Sequence, residues 1–300
     1  MKNQISILGV AYQLGEIHGH YKNASGFAAV GLVDNPELWG WGSYYATEKN
    51  LLDLMVASSL QSLEQASLSV DTIDAVFLCS SNFDSSIGEH CNFTREFLLR
   101  TGLTKSQCTG VTLKGCSTFL SVVELAASTV EAGLYDKVLI VTADLVESSK
   151  DRFRSYALFS DAAASCIVSS GTHLGELKIL ATAGTTDSDQ MYADAPFSDD
   201  LATIANKIAF QRAGVEIQNV KRLFSNNLFL PVIVTKETEA GIDEEAIYID
   251  NIQDKGHCFG ADAFINFCDF RRKQSILPGE IIMLAADAPG VRTTILCENT

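Results

Sequence analysis

The chain is poor in several features that would have defined its class at once. It has no apolar run of about 18 residues, so no membrane-spanning helix is expected. Its first residues, Met1-Lys2-Asn3-Gln4-Ile5, lack the charged leader and apolar core of a signal peptide. The eight cysteines form no C-x-x-C pair, which argues against a zinc site or a disulfide framework and leaves no metal expected. Most of them sit in or beside apolar runs, as small buried hydrophobes do, and a reducing cytoplasm fits this usage. Basic residues are outnumbered 22 to 37 by acidic ones, a net charge of −15. Such a chain is a poor binder of nucleic acid or anionic membrane through its overall field. Low-complexity segments and flexible linkers are absent as well.

What remains is 47% hydrophobic, only 20% charged, with a mean hydropathy of +0.13. Three hundred residues of this composition predict a large buried core in one domain or two closely packed ones, with surface to spare for an oligomer interface. Short apolar runs alternate with segments of helical periodicity. Ile5 to Val10, Asp74 to Cys79, Thr109 to Leu113 and Lys137 to Thr142 read as strands. Asn50 to Ala66, Ser86 to Arg100 and Ser117 to Ala132 read as helices. Lys221 to Leu230, Ala246 to Ile249 and Glu280 to Leu284 supply strands and helix starts later in the chain, and Thr185 to Asp200 reads as loop. Alternation of this kind implies an α/β fold with buried sheets.

Two glycine-led segments stand out, Gly115-Cys116-Ser117-Thr118 and Gly256-His257-Cys258-Phe259. Each precedes an apolar stretch and then a strand-like run ending in Ala-Asp, at Asp144 and Asp287. The intervals from Cys116 to Asp144 and from His257 to Asp287 are nearly equal. The chain therefore reads as a duplication, with a boundary near Gly171, residues 1–170 carrying the cysteine and 171–300 the histidine.

Cys116 lies between a strand and a helix N-terminus, a setting that favours the thiolate and hence a nucleophile. His257 is placed to take a proton from that thiol or to donate to a developing oxyanion. Asp262 either orients His257 or caps and pairs elsewhere. His18, His20, His90 and His173 have no comparable context. Ser225-Asn226-Asn227 interrupts an apolar segment, as side chains that reach a pocket or satisfy a turn do. Gly290, after Pro289, either lets its N–H approach a ligand or makes a plain turn. The basic groups Lys221-Arg222 and Arg271-Arg272-Lys273 are solvated surface or a docking patch for phosphates.

These segments resemble, in order, the β-ketoacyl-acyl-carrier-protein synthase III group of the thiolase superfamily. Thr72-Ile73-Asp74, Gly115-Cys116, the run Phe159-Ser160-Asp161-Ala162-Ala163-Ala164, Gly256-His257, Pro278-Gly279-Glu280 and Pro289-Gly290 carry the resemblance. It implies a duplicated αβαβα layered fold with two pseudo-twofold-related halves, the second one short for the family. It also implies that Cys116 is acylated and that the N–H groups of Cys116 and Gly290 hold the oxyanion. Phe159 and Ser225 fall among the substrate-binding positions. The family's triad is Cys-His-Asn, and here the chain departs from it. The His-bearing segment falls at Phe224 to Asn227 and holds no histidine, while His257 stands where the family has asparagine.

The resulting expectation is a thioester-dependent acyltransferase. Cys116 is the nucleophile, His257 the base, and Asn226 or Asn227 assists. Acyl-coenzyme A or an acyl carrier protein is the substrate, no separate cofactor is needed, and the partner is a second copy or a related synthase. Two alternatives stay open: a weakened homologue acting as a structural subunit of a heteromeric complex, and a thioester hydrolase.

Overall fold

A computed structural model of the chain describes residues 4–81, 83, 89–171, 177–192 and 199–300. The first elements are β1 (Ile5–Leu14), β2 (Ile17–His20), the short helices α1 (Phe27–Val30) and α2 (Pro36–Trp39), β3 (Ser43–Ala46) and α3 (Leu51–Gln65). Then come β4 (Ala75–Cys79), α4 (His90–Thr101), β5 (Gln107–Val111), α5 (Thr118–Glu131), β6 (Lys137–Asp144) and β7 (Ala162–Ser170). The chain continues through β8 (Leu177–Thr186), α6 (Asp199–Ala213), β9 (Val220–Phe224), α7 (Leu230–Glu239) and α8 (Asp250–Lys255). It ends with α9 (Asp262–Lys273), β10 (Ile281–Ala288) and β11 (Val291–Asn299). Helix α3 starts on Asn50, whose side chain and that of Asp53 cap each other's backbone N–H. Part of the helix expected from Ser86, and part of the loop expected over 185–200, lie outside the described residues.

Among the described residues nine strands form one sheet, ordered β5-β4-β6-β7-β1-β8-β11-β10-β9. Its seam is thin, because β1 and β8 meet over only Ser6↔Lys178 and Ile7↔Leu177. Outward from the seam the two wings repeat one plan. Each has its first strand innermost, then its antiparallel last strand, then two parallel strands reached by crossovers. The third parallel strand, β5, is present on one wing only. On the other, Ile247 makes a single parallel bridge to Leu223. The strand expected over Ala246 to Ile249 is reduced to that bridge because Glu244–Ala246 forms a 3₁₀ turn just before it and α8 begins at Asp250 just after it.

Alternation along the strands builds the layers. In β4, Ala75, Phe77 and Cys79 join one core and Val76 and Leu78 another. In β10, Ile282, Leu284 and Ala286 face that first core, and Met283 and Ala285 face a third. The shared core contains α5 and α9, which touch through Phe119 and Phe264 with ring centroids 5.0 Å apart. Helix α3, with Phe97 of α4, covers one outer face, and α6 with α7 the other. The architecture is αβαβα, as expected.

The register of the repeat differs from the sequence reading. The 3₁₀ turn Gly115–Ser117 leads into α5, and the turn Phe259–Ala261 leads into α9. Gly115 and Phe259 share a left-handed backbone, with φ of 51° and 54°. The structural counterpart of Cys116 is therefore Gly260, and His257 lies ahead of the turn. Equal spacing to the next Asp had suggested a direct match, but the two loops before the helices differ in length.

Beside the second wing lies a buried charge cluster. Arg292 is fully buried and donates to Glu237 Oε1 and Oε2 at 2.7 and 3.0 Å and to Asp287 Oδ2 at 2.7 Å. Lys236 pairs with both acids. The Asp287 N–H in turn donates to Asn226 Oδ1 at 2.6 Å, which ties the cluster to the segment following β9. Burial alone would raise the Glu237 carboxyl, but Arg292 and Lys236 outweigh it and hold it down to about 2. A depressed acid contributes stability above its unfolded value, and that stability is lost as pH falls through the folded one. Urea denaturation is expected to show stability falling as pH drops from about 4.5 to about 2. Glu237→Gln should flatten this dependence and cost about 3–5 kcal/mol at neutral pH, since it leaves a buried guanidinium undercompensated.

Candidate active site

Two glycines prepare the site, each because a side chain has no room. A Cβ on Gly115 would stand 2.9 Å from Ala288 Cβ, and one on Gly256 would stand 2.3 Å from the Leu158 carbonyl oxygen. Both residues also hold positive φ, of 51° and 66°. The first turn presents Cys116 just ahead of α5, as the strand-Gly-Cys-helix pattern predicted. The second delivers His257 to a short backbone pairing, in which its N–H donates to Leu158 O and its carbonyl accepts from Ser160 N–H.

These two segments meet. Cys116 Sγ lies 3.3 Å from His257 Nε2. His257 Nδ1 is hydrogen-bonded to Asp262 Oδ2, and both side chains are essentially out of contact with solvent. The Asp262 carboxylate gathers three further donors: Cys258 N–H at 2.7 Å, Asn227 N–H at 2.8 Å and Asn227 Nδ2 at 3.2 Å. Of the roles left open for Asp262, the structure selects orientation of His257. Burial would depress the imidazole, but the Asp262 carboxylate and the Cys116 sulfur outweigh it and push it up to about 10. The arrangement favours an imidazolium next to a nucleophilic sulfur, the general logic of a nucleophile, a base and an orienting acid. Phe159 and Phe259 pack on the imidazole, with centroids 4.7 and 5.8 Å away.

Asn226, Asn227 and Ser225, expected at the site, are each hydrogen-bonded within the protein. Asn227 also donates to Gly256 O at 2.8 Å and accepts from Asn266, so it braces both Asp262 and the turn before His257. Asn226 is engaged by Phe259 O and the Asp287 N–H. Ser225 Oγ donates to Glu237 Oε1 at 3.2 Å. All three are buried and spent on internal bonds, so polar interruption of an apolar run here marks scaffolding. Phe224 is fully buried among Tyr248, Phe267 and Phe270, an apolar aromatic setting.

A cavity of about 1000 Å³ reaches the sulfur, and Cys116, Phe159, Phe259, Asp144, Ser81 and Tyr156 are among the side chains that line it. Phe159 is thus where a substrate-binding residue was expected. Gly290 is not part of this wall. It holds φ of 70° in the β10–β11 turn, and a Cβ there would stand 2.5 Å from Asp187 O. The basic groups singled out in the sequence lie elsewhere, with Arg222 over Phe270, Arg271 over Phe267 and Arg272 over Tyr12. The cations on the cavity wall are Lys150 and Arg154. In the sequence Asp144 is only a mark of the repeat; its burial on the wall of the cavity that Cys116 also lines is a tertiary fact. Among the described residues no group of His, Cys, Asp and Glu could hold a metal, and no helix is long and apolar enough to cross a membrane.

Residues 112–188 match the family 3-oxoacyl-[acyl-carrier-protein] synthase III. The β-ketoacyl-[acyl-carrier-protein] synthase III of Porphyra umbilicalis is 24% identical over 274 residues, 81% of this chain and 82% of that protein. The fold superposes on ChlB3, described as an acyltransferase, with a TM-score of 0.85 at 15% identity, over 99% of this chain and 98% of that one. It superposes on the synthase III of Aquifex aeolicus VF5 with a TM-score of 0.81 at 17% identity, covering 98% and 99%. In sequence and in fold the chain is thus similar to synthase III proteins, with Cys116 at its strand-to-helix turn inside the matched residues.

Proposed function

We propose that the protein is an acyltransferase that carries its acyl group on Cys116, taken from a coenzyme A or carrier-protein thioester. The Cys116–His257–Asp262 chain at the end of the cavity carries this reading. The sulfur attacks the thioester carbon, and the N–H of Cys116, just ahead of α5, is our choice for an oxyanion donor. His257 gives its proton to the departing thiol, and Asp262 stabilises the imidazole throughout. The acyl group then passes to a second substrate. The thioester brings its own activation, so no further cofactor is needed.

Simple acyl transfer is favoured over decarboxylative condensation. An enolate needs polar donors on the side of the thioester oxygen, and the segment that would supply one holds buried Phe224 and the committed amides of Asn226 and Asn227. The intact triad also speaks against a purely structural subunit.

We further propose a homodimer. Strand β5 is the edge of the sheet, and beyond it Leu113 is 86% exposed with φ of 80°. An open edge and an exposed leucine held in a left-handed backbone fit a surface covered by a second copy.

Intact mass spectrometry after incubation with acetyl-, octanoyl- and benzoyl-coenzyme A is expected to show an acyl adduct that Cys116→Ala abolishes; no adduct from any thioester donor sinks the reading. Asp262→Asn should slow acylation about 10²–10⁴-fold, because the imidazole loses its orienting charge. His257 keeps its proton below its raised value, so wild-type acylation should persist from neutrality and decline as pH rises through about 10. Sedimentation should give a dimer that Leu113→Asp weakens without loss of helical content; a wild-type monomer at micromolar concentration would refute the dimer.

A further inference from the structure

Asp144 ends β6 at 4% exposure, on the wall of the cavity that holds Cys116. Its Oδ1 accepts from Ser80 Oγ at 2.9 Å and from the Ser81 N–H at 2.7 Å. Its Oδ2 has no hydrogen-bond partner of ordinary geometry among the described residues, and Ser81 Oγ, on the same wall, has none beyond a weak interaction with this carboxylate. Two orphaned polar atoms at the end of a substrate cavity are costly to the fold unless a ligand completes them. The triad uses neither.

We propose that Asp144 is the general base of the transfer step, taking the proton of a hydroxyl-bearing acceptor that Ser81 helps to hold. The inference rests on the acyl-enzyme reading above. The two orphaned atoms offer a carboxylate acceptor and a hydroxyl that can donate. An alcohol oxygen fits both, since it gives its proton to Asp144, accepts from Ser81 with one lone pair and attacks with the other. An amine nitrogen has a single lone pair, which cannot both accept from Ser81 and attack.

The step balances as follows. The acceptor oxygen forms a bond to the thioester carbon, the carbon–sulfur bond breaks, and the electron pair leaves on Cys116 as thiolate. The hydroxyl proton goes to Asp144, which releases it to solvent in the cavity, and His257 takes up one proton from solvent to replace the one that left with the first thiol.

Protonation supports this division of labour. Burial pushes the Asp144 carboxyl up to about 7, with the Ser80 and Ser81 hydrogen bonds opposing, so a useful share is ionised near neutrality. His257 is held near 10 and suits proton donation better than removal. Cys79 on β4 and His257 act on Asp144 from the packed side. Glu147, Lys150 and the Asp151–Arg154 ion pair occupy the cavity wall.

The test uses the whole enzyme, acetyl-coenzyme A as donor and glycerol or butylamine as acceptor probe. Asp144→Asn is expected still to form the acetyl-Cys116 adduct while its transfer to glycerol falls about 10²–10⁴-fold. Wild-type transfer should rise with pH through about 7, and the variant should lose that limb. Ser81→Ala should raise KM for glycerol about 5- to 10-fold, the loss of one hydrogen bond. Wild-type transfer to butylamine in preference to glycerol overturns the acceptor assignment. Unchanged transfer in Asp144→Asn, or equal loss of acylation and transfer, overturns the role of Asp144 alone. Absence of a wild-type adduct overturns the acyl-enzyme reading and this inference with it.

Discussion

The carboxylate of Asp262 is the point on which the candidate site depends. It receives one ring N–H from His257 and three donors from Cys258 and Asn227. Each of these comes from a different constraint. Cys258 N–H belongs to the turn after Gly256, Asn227 to the segment leaving β9, and Asp262 itself to the first residue of α9, where the helix dipole favours a negative charge. A buried carboxylate is stable only when its lone pairs are filled and its charge is matched. Here the same bonds that satisfy it fix the imidazole ring and aim Nε2 at the sulfur. The placement of the imidazole against the Cys116 sulfur is therefore a property of the packing of β9, α9 and the His257 loop against α5, and no one motif contains it.

The fold makes that meeting possible by duplication followed by divergence. The turns before α5 and α9 occupy matching places in the two wings, and both need a left-handed residue. Glycine takes that backbone at Gly115, whereas Phe259 holds it in the second wing. A phenylalanine there costs more than glycine, of order 1–3 kcal/mol for a strained backbone. Its ring repays the cost in position, packed on His257 and on Phe159 with a centroid separation of 4.8 Å. The first wing keeps an open turn for a nucleophile, and the second fills the equivalent turn and places its histidine just ahead of it.

The strands β1, β4, β5 and β6, the helices α3 and α5 and the turn at Cys116 were legible in the sequence because they follow from local rules: short apolar runs for strands, periodicity for helices and Gly-Cys at a strand-to-helix junction. His257 was legible through Gly256. The rest depended on distances along no local pattern. The loop before α9 differs from that before α5, so equal intervals mismatched Cys116 and His257 in register. Ser225-Asn226-Asn227 looked like a polar pocket segment, but polar residues between apolar flanks serve equally to bind a buried carboxylate and a buried ion cluster, and only burial tells the two apart. Asp262 could not be assigned a role because a first-turn acid in a helix is common as a cap. Asp144 was visible as an ending of a strand and carried no sign of its orphaned oxygen.

Where protons can sit constrains the reaction further. The sulfur faces His257, whose affinity for a proton is raised, against the effect of burial, by the Asp262 carboxylate and by the sulfur itself. Such a group is good at stabilising a thiolate and at protonating a departing thiol, and poor at removing protons near neutrality. An enzyme that used His257 for both steps would have to release its proton against the Asp262 charge in each cycle. Asp144 lies on the same wall, is set near neutrality by burial, and is uncompensated on one oxygen. Glu147 and Asp151 also line the cavity, and Asp144 differs from them in being buried at the end of β6 and raised by that burial, which is what recommends it as the proton acceptor of the proposed transfer step.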